Sequence, residues 1–254
     1  MKHKTPEFSC RFRCAGQKSI GRLRKSNQDE IILCPDMGIF AVSDGMGGLE
    51  EGARASVYVR ESMPVMMRFP LNEVQAPDEA GKAFAETIRM ISDELFNTAN
   101  TESHIGYGAT CCGVWLYEDK AIFANLGDSR GYLLPKYKRT LKQITEDHNI
   151  AALMVKNGEL SKSAAPNHPS SSQLTRFVGM KAPALPEYFI CTVAPGDKIL
   201  LCSDGLYGMV NEKDIARIMR SSRSPQTVCA RLIDKANANG GRDNISAVAI
   251  QIVN

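Results

Sequence analysis

The predicted order of strands and helices favours a layered α+β fold for this chain. Strands are followed by two long helices, then by further strands and then by helices again, and such grouping disfavours a doubly wound parallel sheet. The dipeptide Glu118-Asp119 joins two apolar runs as a hairpin turn, which indicates antiparallel pairing. The 254 residues show no internal repeat and no change of composition, so we expect a single domain, residues 1–254.

The first part of the chain predicts two strands and two helices. The strands are expected over residues 9–15 and 31–43, and the helices over residues 51–67 and 78–100. Apolar residues recur in the second helix at spacings of four, four, three and four, at Ala80, Phe84, Ile88, Ile91 and Leu95. This period puts them on one side of a helix, which predicts a face packed into the core.

The remainder of the chain predicts shorter elements. Strands are expected over residues 110–116, 121–125, 130–134, 188–193, 198–203 and 245–253. Helices are expected over residues 148–160, 211–220 and 225–238. Residues 161–173 are rich in Ser, Ala and Pro, which is typical of a mobile surface segment.

Four aspartates stand next to apolar, strand-like runs. Asp44 and Asp204 each follow such a run and precede a glycine, whereas Asp29 and Asp243 each stand shortly before one. A single Asp-Gly is most often an ordinary turn. Two of them at the ends of apolar runs, together with an Asn-Gln-Asp and a Gly-Gly-Arg-Asp-Asn turn, predict that carboxylates converge on hard divalent cations, which prefer oxygen ligands.

Such a cluster of carboxylates suits the hydrolysis of phosphate esters. Two divalent ions clamp the attacking and leaving oxygens of a displacement at phosphorus and make hydroxide available near neutral pH. A cation must also hold the non-reacting phosphate oxygens, and the planar fork of arginine matches their geometry. Arg24, five residues before Asp29, is the candidate, and Arg22 is its competitor. The sequence therefore predicts a two-metal phosphate-ester hydrolase.

Six segments of the chain resemble the motifs of a known family. They are GRLRKSNQD (21–29), FAVSDGMGG (40–48), ANLGDSR (124–130), TEDH (145–148), LLCSDGL (200–206) and GRDNIS (241–246). In these residues and in their order the chain resembles bacterial metal-dependent Ser/Thr protein phosphatases, the type 2C or PPM family. The resemblance implies a four-layer αββα sandwich of two antiparallel sheets flanked by helices, with a flap segment at about residues 148–180.

The resemblance also implies which residues hold the metal ions, with manganese or magnesium as the preferred ions. Asp44 matches the ligand that bridges two ions, and Gly45 matches a backbone carbonyl ligand of one of them. Asp204 and Asp243 match ligands of the other ion. Asp29 matches a ligand that acts directly or through water.

Two further residues match functional positions, and two positions depart from the family's pattern. Arg24 matches the phosphate clamp, and Asp128 resembles the acidic residue that helps to hold a weaker third ion. Met46 stands where animal members have a histidine that protonates the leaving group, so the proton must come from another group. Residues 170–173 lack the Arg-Asn pair common in the flap, which leaves its substrate contacts undefined.

The function implied is that of a phosphoprotein phosphatase. It would hydrolyse phosphoserine and phosphothreonine through attack of a water that bridges the two ions, on substrates phosphorylated by a bacterial Ser/Thr protein kinase. A catalytically inactive phosphopeptide-binding relative is disfavoured because Asp29, Asp44, Asp204 and Asp243 are all present. A phosphoesterase for small molecules is compatible with the carboxylates alone and is disfavoured by the ordered set of motifs.

Composition bounds the partners and the compartment. The net charge of +3 is small and scattered, which gives no support to nucleic-acid binding. Residues 1–13 lack the apolar core of a secretory signal, and no run approaches the ~18 apolar residues of a membrane span. The eight cysteines include no CxxC pair, which indicates reduced thiols. We therefore expect a cytoplasmic protein that does not bind membranes, and a monomer.

Overall fold

The fold is given by a computed structural model that describes residues 8, 10–48, 50–99, 107–138, 140–181 and 183–254. In chain order its strands are β1 (Arg11–Ser19), β2 (Asp29–Cys34), β3 (Ile39–Met46), β4 (Gly108–Ala109), β5 (Cys111–Tyr117), β6 (Lys120–Leu126), β7 (Arg130–Leu134), β8 (Lys142–Gln143), β9 (Glu187–Thr192), β10 (Lys198–Cys202) and β11 (Ile245–Val253). Its helices are α1 (Glu51–Met66), α2 (Pro70–Glu73), α3 (Pro77–Ala99), α4 (Ile150–Lys156), α5 (Asp204–Tyr207), α6 (Glu212–Ser221) and α7 (Pro225–Ala238).

The strands form two antiparallel sheets that face each other. One sheet has the order β1-β11-β10-β7-β8, and the other has the order β2-β3-β5-β6-β9 with β4 paired to β3. Helices α1 and α3 pack on the second sheet, and α6 and α7 pack on the first. The result is a four-layer αββα arrangement, so the predicted α+β sandwich is confirmed.

Each sheet is covered on both faces, and this explains the apolar strands. In β3, Ile39 faces the helices α1 and α3, whereas Phe40 and Val42 face the opposite sheet. Every residue of β5 is buried for the same reason. Burial of apolar surface on both sides of a strand, at roughly 25 cal/mol per Å², is the main stabilising contribution to such a core.

Two local predictions are confirmed residue by residue. The five apolar residues that the period placed on one face of α3 are all at most 3% exposed. Glu118-Asp119 forms the two-residue turn between β5 and β6, in which Tyr117 pairs with Lys120. Glu118 has a φ of 53°, the left-handed conformation that a tight hairpin turn requires.

The single strand predicted over residues 31–43 is wrong. It is two strands, β2 and β3, joined by a short 3-10 turn at Pro35–Met37. Pro35 has no N–H to donate to a neighbouring strand, and Gly38 adopts a φ of 67° that reverses the chain. The two halves therefore pair with each other as a hairpin.

Other boundaries were set by long-range pairing. The first strand continues to Ser19 rather than ending at residue 15, because all nine of its residues pair with β11. The short elements α2, α5, β4 and β8 were not predicted, and α4 is shorter than the helix expected over residues 148–160. Residues 9 and 100, which the predicted strand and helix included, lie outside the described residues. None of the described helices combines the length and hydrophobicity needed to span a bilayer.

Candidate metal and phosphate site

One pocket at the end of the two sheets collects six of the residues singled out from the sequence. Its lining includes Arg24, Asp44, Gly45, Asp128, Asp204 and Asp243. The pocket has a volume of about 300 Å³, which is the lower end of the range for small-molecule sites. Asp29 lies beneath it and is completely buried. This end of the sheets thus brings together residues from β2, β3, β10, β11 and the turns next to them.

The antiparallel pairing of β2 with β3 puts two carboxylates against each other. Asp29 is the register partner of Asp44. Like charges directly opposite on paired strands destabilise the sheet, so this pair calls for a compensating cation. The Oδ2 atom of Asp29 accepts a hydrogen bond from Ser203 Oγ at 2.7 Å, whereas Oδ1 is buried without a hydrogen-bond partner.

Asp204 is delivered to the pocket by a change from strand to helix. β10 ends at Cys202, Ser203 follows, and Asp204 is the first residue of α5. Ser203 accepts a hydrogen bond from the N–H of Ser246 and donates one to Asp29, which ties the two sheets together behind the site. The Oδ1 atom of Asp204 is buried and makes no hydrogen bond.

The glycines that follow Asp44 and Asp204 are required by close backbone packing. The strand β3 does not stop at Asp44 but continues through Gly45 to Met46. A Cβ on Gly45 would lie 2.0 Å from the carbonyl oxygen of Gly52, and one on Gly205 would lie 1.9 Å from that of Asn244. Neither Asp-Gly is thus an ordinary turn, because the first lies within β3 and the second begins α5. The Asp-Gly pattern nevertheless located both aspartates.

Arg24 enters the pocket by an ion pair with one of the candidate metal ligands. Its Nη2 atom donates to Oδ2 of Asp243 at 2.7 Å, and both side chains are substantially exposed. The hydrogen bond to Asp243 raises the pKa of Arg24. Arg22 has an exposed side chain and is not among the described residues that line the pocket, so the geometry favours Arg24 as the phosphate-binding arginine.

Asp128 lies on the turn between β6 and β7. Gly127 before it has a φ of 121°, a conformation that L-residues rarely adopt. The hydroxyl of Tyr207 donates to the carbonyl oxygen of Asp128 at 3.0 Å, and the ring of Tyr207 stacks on the guanidinium of Arg130. Asp128 lines the pocket, and only 6% of the residue is exposed.

The carboxylates repel one another and are poorly solvated. Burial raises the pKa of Asp44 well above its usual value, and the charges of Asp29 and Asp204 add to the effect. Burial also raises the pKa of Asp204, of Asp128 and, to about 7, that of Asp29. Neighbouring carboxylates whose ionisation is disfavoured in this way are typical of a site that binds cations.

The donor set fits divalent ions. Carboxylate oxygens and a backbone carbonyl are the ligands that magnesium and manganese prefer. The unpaired buried oxygens of Asp29 and Asp204 are free to coordinate. Within the described residues no three His, Cys, Asp or Glu side chains already surround one point at metal-binding distance.

The comparison with protein families decides the relationship. The family described as Protein phosphatase 2C matches residues 22–235 of the chain. The chain belongs to the protein phosphatase 2C family. The activity of this family is metal-dependent hydrolysis of phosphoserine and phosphothreonine, with divalent metal ions, and the protein is a protein serine/threonine phosphatase.

Individual relatives of this phosphatase extend over nearly the whole chain. Serine/threonine phosphatase stp of Listeria monocytogenes is 33% identical over 238 residues, which cover 91% of this chain and 92% of the relative. The structure of Stp1 from Staphylococcus aureus has a TM-score of 0.87 at 25% identity and covers 100% of both chains. The catalytic domain of PstP, solved in complex with 2 manganese ions, shares the fold with a TM-score of 0.76 at 24% identity, covering 96% of this chain and 99% of that one.

Two supporting residues of the phosphatase site were missed by sequence reasoning. Asn244 accepts from the N–H of Gln28 at 2.8 Å and donates to the carbonyl oxygens of Ile20 and Ser26, which fixes the loop that carries Arg24. It stands within the Gly-Arg-Asp-Asn run, so a signal was present. Thr110 accepts from the N–H of Asp44 at 3.0 Å, and no sequence pattern links these two residues.

The predicted flap forms one wall of the phosphatase pocket. Residues 148–180 contain α4 and two short 3-10 turns, and Ser172 and Leu174 line the pocket. The flap returns beside its own start, because Leu174 pairs with Asn149 as an isolated β-bridge. Met46, which replaces the histidine of animal members, also faces the pocket and carries no proton.

Proposed function

We propose that the protein dephosphorylates phosphoserine and phosphothreonine in proteins at this pocket. Two divalent ions would be held by the residues that the resemblance assigned: Asp29, Asp44, Gly45, Asp204 and Asp243. The observation that carries the proposal is the convergence of Asp44, Gly45, Asp204 and Asp243 with Arg24 on one pocket at the end of the sheets, with Asp29 buried opposite Asp44. When bound, the ions polarise the phosphate and lower the pKa of their water, so that hydroxide is available near neutral pH.

The experiment that tests this function compares substrates. Purified protein with Mn²⁺ should hydrolyse a phosphothreonine peptide, a phosphoserine peptide and p-nitrophenyl phosphate. Hydrolysis of p-nitrophenyl phosphate without hydrolysis of either peptide would contradict the assignment to phosphoproteins and favour a small-molecule phosphoesterase.

Within this proposal each residue has a separate task. Asp44, opposite Asp29 on the neighbouring strand, would be the ligand shared by the two ions. Gly45, which packs too closely against Gly52 to carry a side chain, would contribute its carbonyl oxygen. Arg24 holds the non-reacting phosphate oxygens through its planar fork. For this it must exchange Asp243 for phosphate, and their exposed ion pair is weak enough to break, since such pairs contribute only about 0–1 kcal/mol.

Replacing Arg24 with alanine is expected to raise KM for phosphorylated substrates by about tenfold, with a smaller change in kcat. The reason is that the arginine binds phosphate in the ground state and in the transition state alike, so its loss removes uniform binding. Steady-state kinetics on p-nitrophenyl phosphate measure both constants.

Arg22→Ala is the matched control for Arg24→Ala, because it removes the same charge from the same loop without touching the pocket. It should leave KM within about twofold of the wild type. A defect in the Arg22 variant together with a normal Arg24 variant would transfer the clamp to Arg22.

We further propose that Asp128 and Asp204 hold a third, weaker divalent ion. The two carboxylates interact, since the charge of Asp204 is, after burial, the largest cause of the raised pKa of Asp128. Since Met46 carries no proton, the Asp128 side of the pocket is assigned to protonation of the leaving group.

Asp128→Ala is expected to lower kcat by about tenfold or more for a phosphothreonine peptide and by much less for p-nitrophenyl phosphate. The alkoxide of threonine needs a proton as it leaves, whereas p-nitrophenolate does not. The ratio of the two kcat values is the measurement, and Asp36→Ala, in an exposed turn, is the control. Equal losses on both substrates would contradict the role in leaving-group protonation.

The ions, the substrates, the oligomeric state and the compartment are proposed as the sequence predicts them. The ions are manganese or magnesium, because the ligands are oxygens, and the fold neighbour PstP holds manganese. The substrates are proteins phosphorylated by a Ser/Thr protein kinase. The chain acts as a single monomeric domain, residues 1–254, in the cytoplasm. The buried thiols of Cys111, Cys112 and Cys202 pack in apolar clusters, which suits a reducing compartment.

A further inference from the structure

His148 connects the turn that carries Asp128 with the flap. Only 2% of the residue is exposed. Its backbone N–H donates to the carbonyl oxygen of Gly127 at 3.0 Å, and the N–H of Gly127 donates to Nδ1 of its imidazole at 3.1 Å. Because Nδ1 accepts a hydrogen bond, the proton of the neutral ring is on Nε2.

The other side of His148 faces β9 and the returning part of the flap. Its Nε2 lies 3.5 Å from Oε2 of Glu187, and Oε1 of Glu187 accepts from Arg176 at 2.9 Å. The carbonyl oxygen of His148 accepts from the N–H of Thr175 at 2.8 Å. Thr175 directly follows Leu174, which lines the pocket. The side chain and the backbone of His148 thus join the Asp128 turn to the returning part of the flap.

The environment keeps this imidazole neutral. Burial and, after it, the positive charge of Arg176 lower the pKa of His148 to about 4, and the carboxylate of Glu187 only partly opposes them. A neutral ring is what the contact with Gly127 requires, since a protonated Nδ1 cannot accept from an N–H.

We propose that His148 is a positioning residue for the phosphatase reaction: it fixes the Gly127–Asp128 turn so that the Asp128 carboxylate faces the pocket, and it ties that turn to the flap. The proposal rests on the proposed function for its catalytic consequence. The statement that His148 holds the turn rests on geometry alone.

The turn has few other restraints that could replace this contact. Asn125 donates to the carbonyl oxygen of Gly127 and Tyr207 donates to that of Asp128, but the described contact of the Gly127 N–H is with His148. At a φ of 121°, Gly127 has no regular secondary structure to hold it. Loss of the imidazole leaves a buried donor unpaired, which drives the turn to rearrange.

Two variants separate the polar contact from the bulk of the ring. The Oδ1 of asparagine reaches nearly the position of the histidine Nδ1, so His148→Asn should still accept from Gly127. His148→Leu removes the acceptor. His168→Leu is the matched control, because the Nδ1 of His168 also accepts a backbone N–H, from Ser170 in the flap, away from the Asp128 turn.

The first readout is hydrogen exchange of the Gly127 amide, followed by NMR in protein labelled with ¹⁵N. His148→Leu should accelerate this exchange by about tenfold or more, whereas His148→Asn and His168→Leu should change it by less than about threefold. Unchanged protection of Gly127 in a folded His148→Leu variant would overturn the proposal, whatever the protein's activity.

The second readout is the ratio of kcat on a phosphothreonine peptide to kcat on p-nitrophenyl phosphate. His148→Leu should lower this ratio as Asp128→Ala does, by about tenfold, and should lower it no further in the Asp128→Ala background. A purely structural loss would reduce both rates together and would overturn the proposal. If His148→Leu does not fold, His148→Asn decides: a folded Asn variant that loses Gly127 protection overturns it.

The two readouts also separate this inference from the proposed function. A wild-type protein that hydrolyses neither substrate with Mn²⁺ refutes the function, while the exchange of Gly127 still decides whether His148 holds the turn. Activity with a normal ratio in His148→Leu refutes the inference and leaves the function intact.

Discussion

Replacing Asp44 with asparagine is expected to lower kcat by about 10³-fold or more on any phosphomonoester, since a metal clamp contributes several kcal/mol to transition-state stabilisation and each ~1.4 kcal/mol is tenfold. Asp44 lies close to several other carboxylates: burial and the charges of Asp29, Asp204, Asp128 and Asp243 all raise its pKa. Its place between them fits a ligand shared by two ions. Asparagine keeps the size and removes the charge.

The fold should survive this substitution and gain stability in the absence of metal. The register pair Asp29–Asp44 then holds one carboxylate instead of two, which relieves a cross-strand repulsion. Thermal unfolding in EDTA measures this, and Asp36→Asn, in an exposed turn, is the control. Wild-type turnover by the Asp44 variant would show that this carboxylate holds no ion that the reaction needs.

Removal of divalent ions is expected to abolish hydrolysis and to make the stability of the protein fall as pH rises. The loss of activity is expected because the carboxylates of the pocket would hold the ions that make hydroxide available near neutral pH. Addition of Mn²⁺ should restore the rate. Activity that persists after exhaustive chelation would refute the two-metal assignment.

The sign of the pH effect in the metal-free protein follows from the raised carboxyl pKa values. Burial raises the pKa of Asp29 to about 7 from an ordinary value of 3.8, so the folded state binds its proton more tightly than the unfolded state does. The stabilisation that this provides is complete below the unfolded pKa and is lost as pH rises through the folded one. At about 1.4 kcal/mol per pKa unit, the total is on the order of a few kcal/mol.

The part of this loss that can be measured without an opposing change at His148 lies between pH 6.5 and 8. The lowered pKa of His148 acts in the opposite direction, with stability rising as pH increases from about 4 to its ordinary value of 6.5, and it has no further effect above that range. In EDTA the melting temperature should therefore fall between pH 6.5 and 8. With Mn²⁺ the fall should disappear, because ions bind the ionised carboxylates.

Asp44→Asn in EDTA is the matched control for this slope, and it should show a shallower fall than the wild type. A melting temperature of the metal-free wild type that is flat or rises across the same window would contradict the assignment of raised pKa values to these aspartates.

The sequence by itself determined the elements whose boundaries depend on neighbouring residues. Helix α7 begins and ends where it was predicted, since Ser224 caps its first turn, Pro225 suits its first position and Gly240 follows its end. The face of α3 and the Glu118-Asp119 hairpin are local patterns as well. The aspartates were found for a related reason, because each stands beside an apolar run within a few residues.

Only the tertiary structure decided how these pieces meet. Arg24 and Asp243 are 219 residues apart in the chain, and their ion pair depends on the pairing of β1 with β11 and on the loop that Asn244 holds. The opposition of Asp29 to Asp44 depends on the break at Pro35, which the apolar pattern of residues 31–43 concealed.

The contact of Gly127 with His148 and that of Asp44 with Thr110 have the same origin. Neither pair shares a periodic pattern or a motif spacing. Asp44 meets Thr110 because β3 pairs with β4 and β5, and Gly127 meets His148 where the turn after β6 contacts the start of the flap. Local patterns specify which residues are apolar, acidic or turn-forming. The partner that each polar group finds is set by the long-range register of the sheets, because that register fixes which backbone and side-chain groups are left to pair with one another.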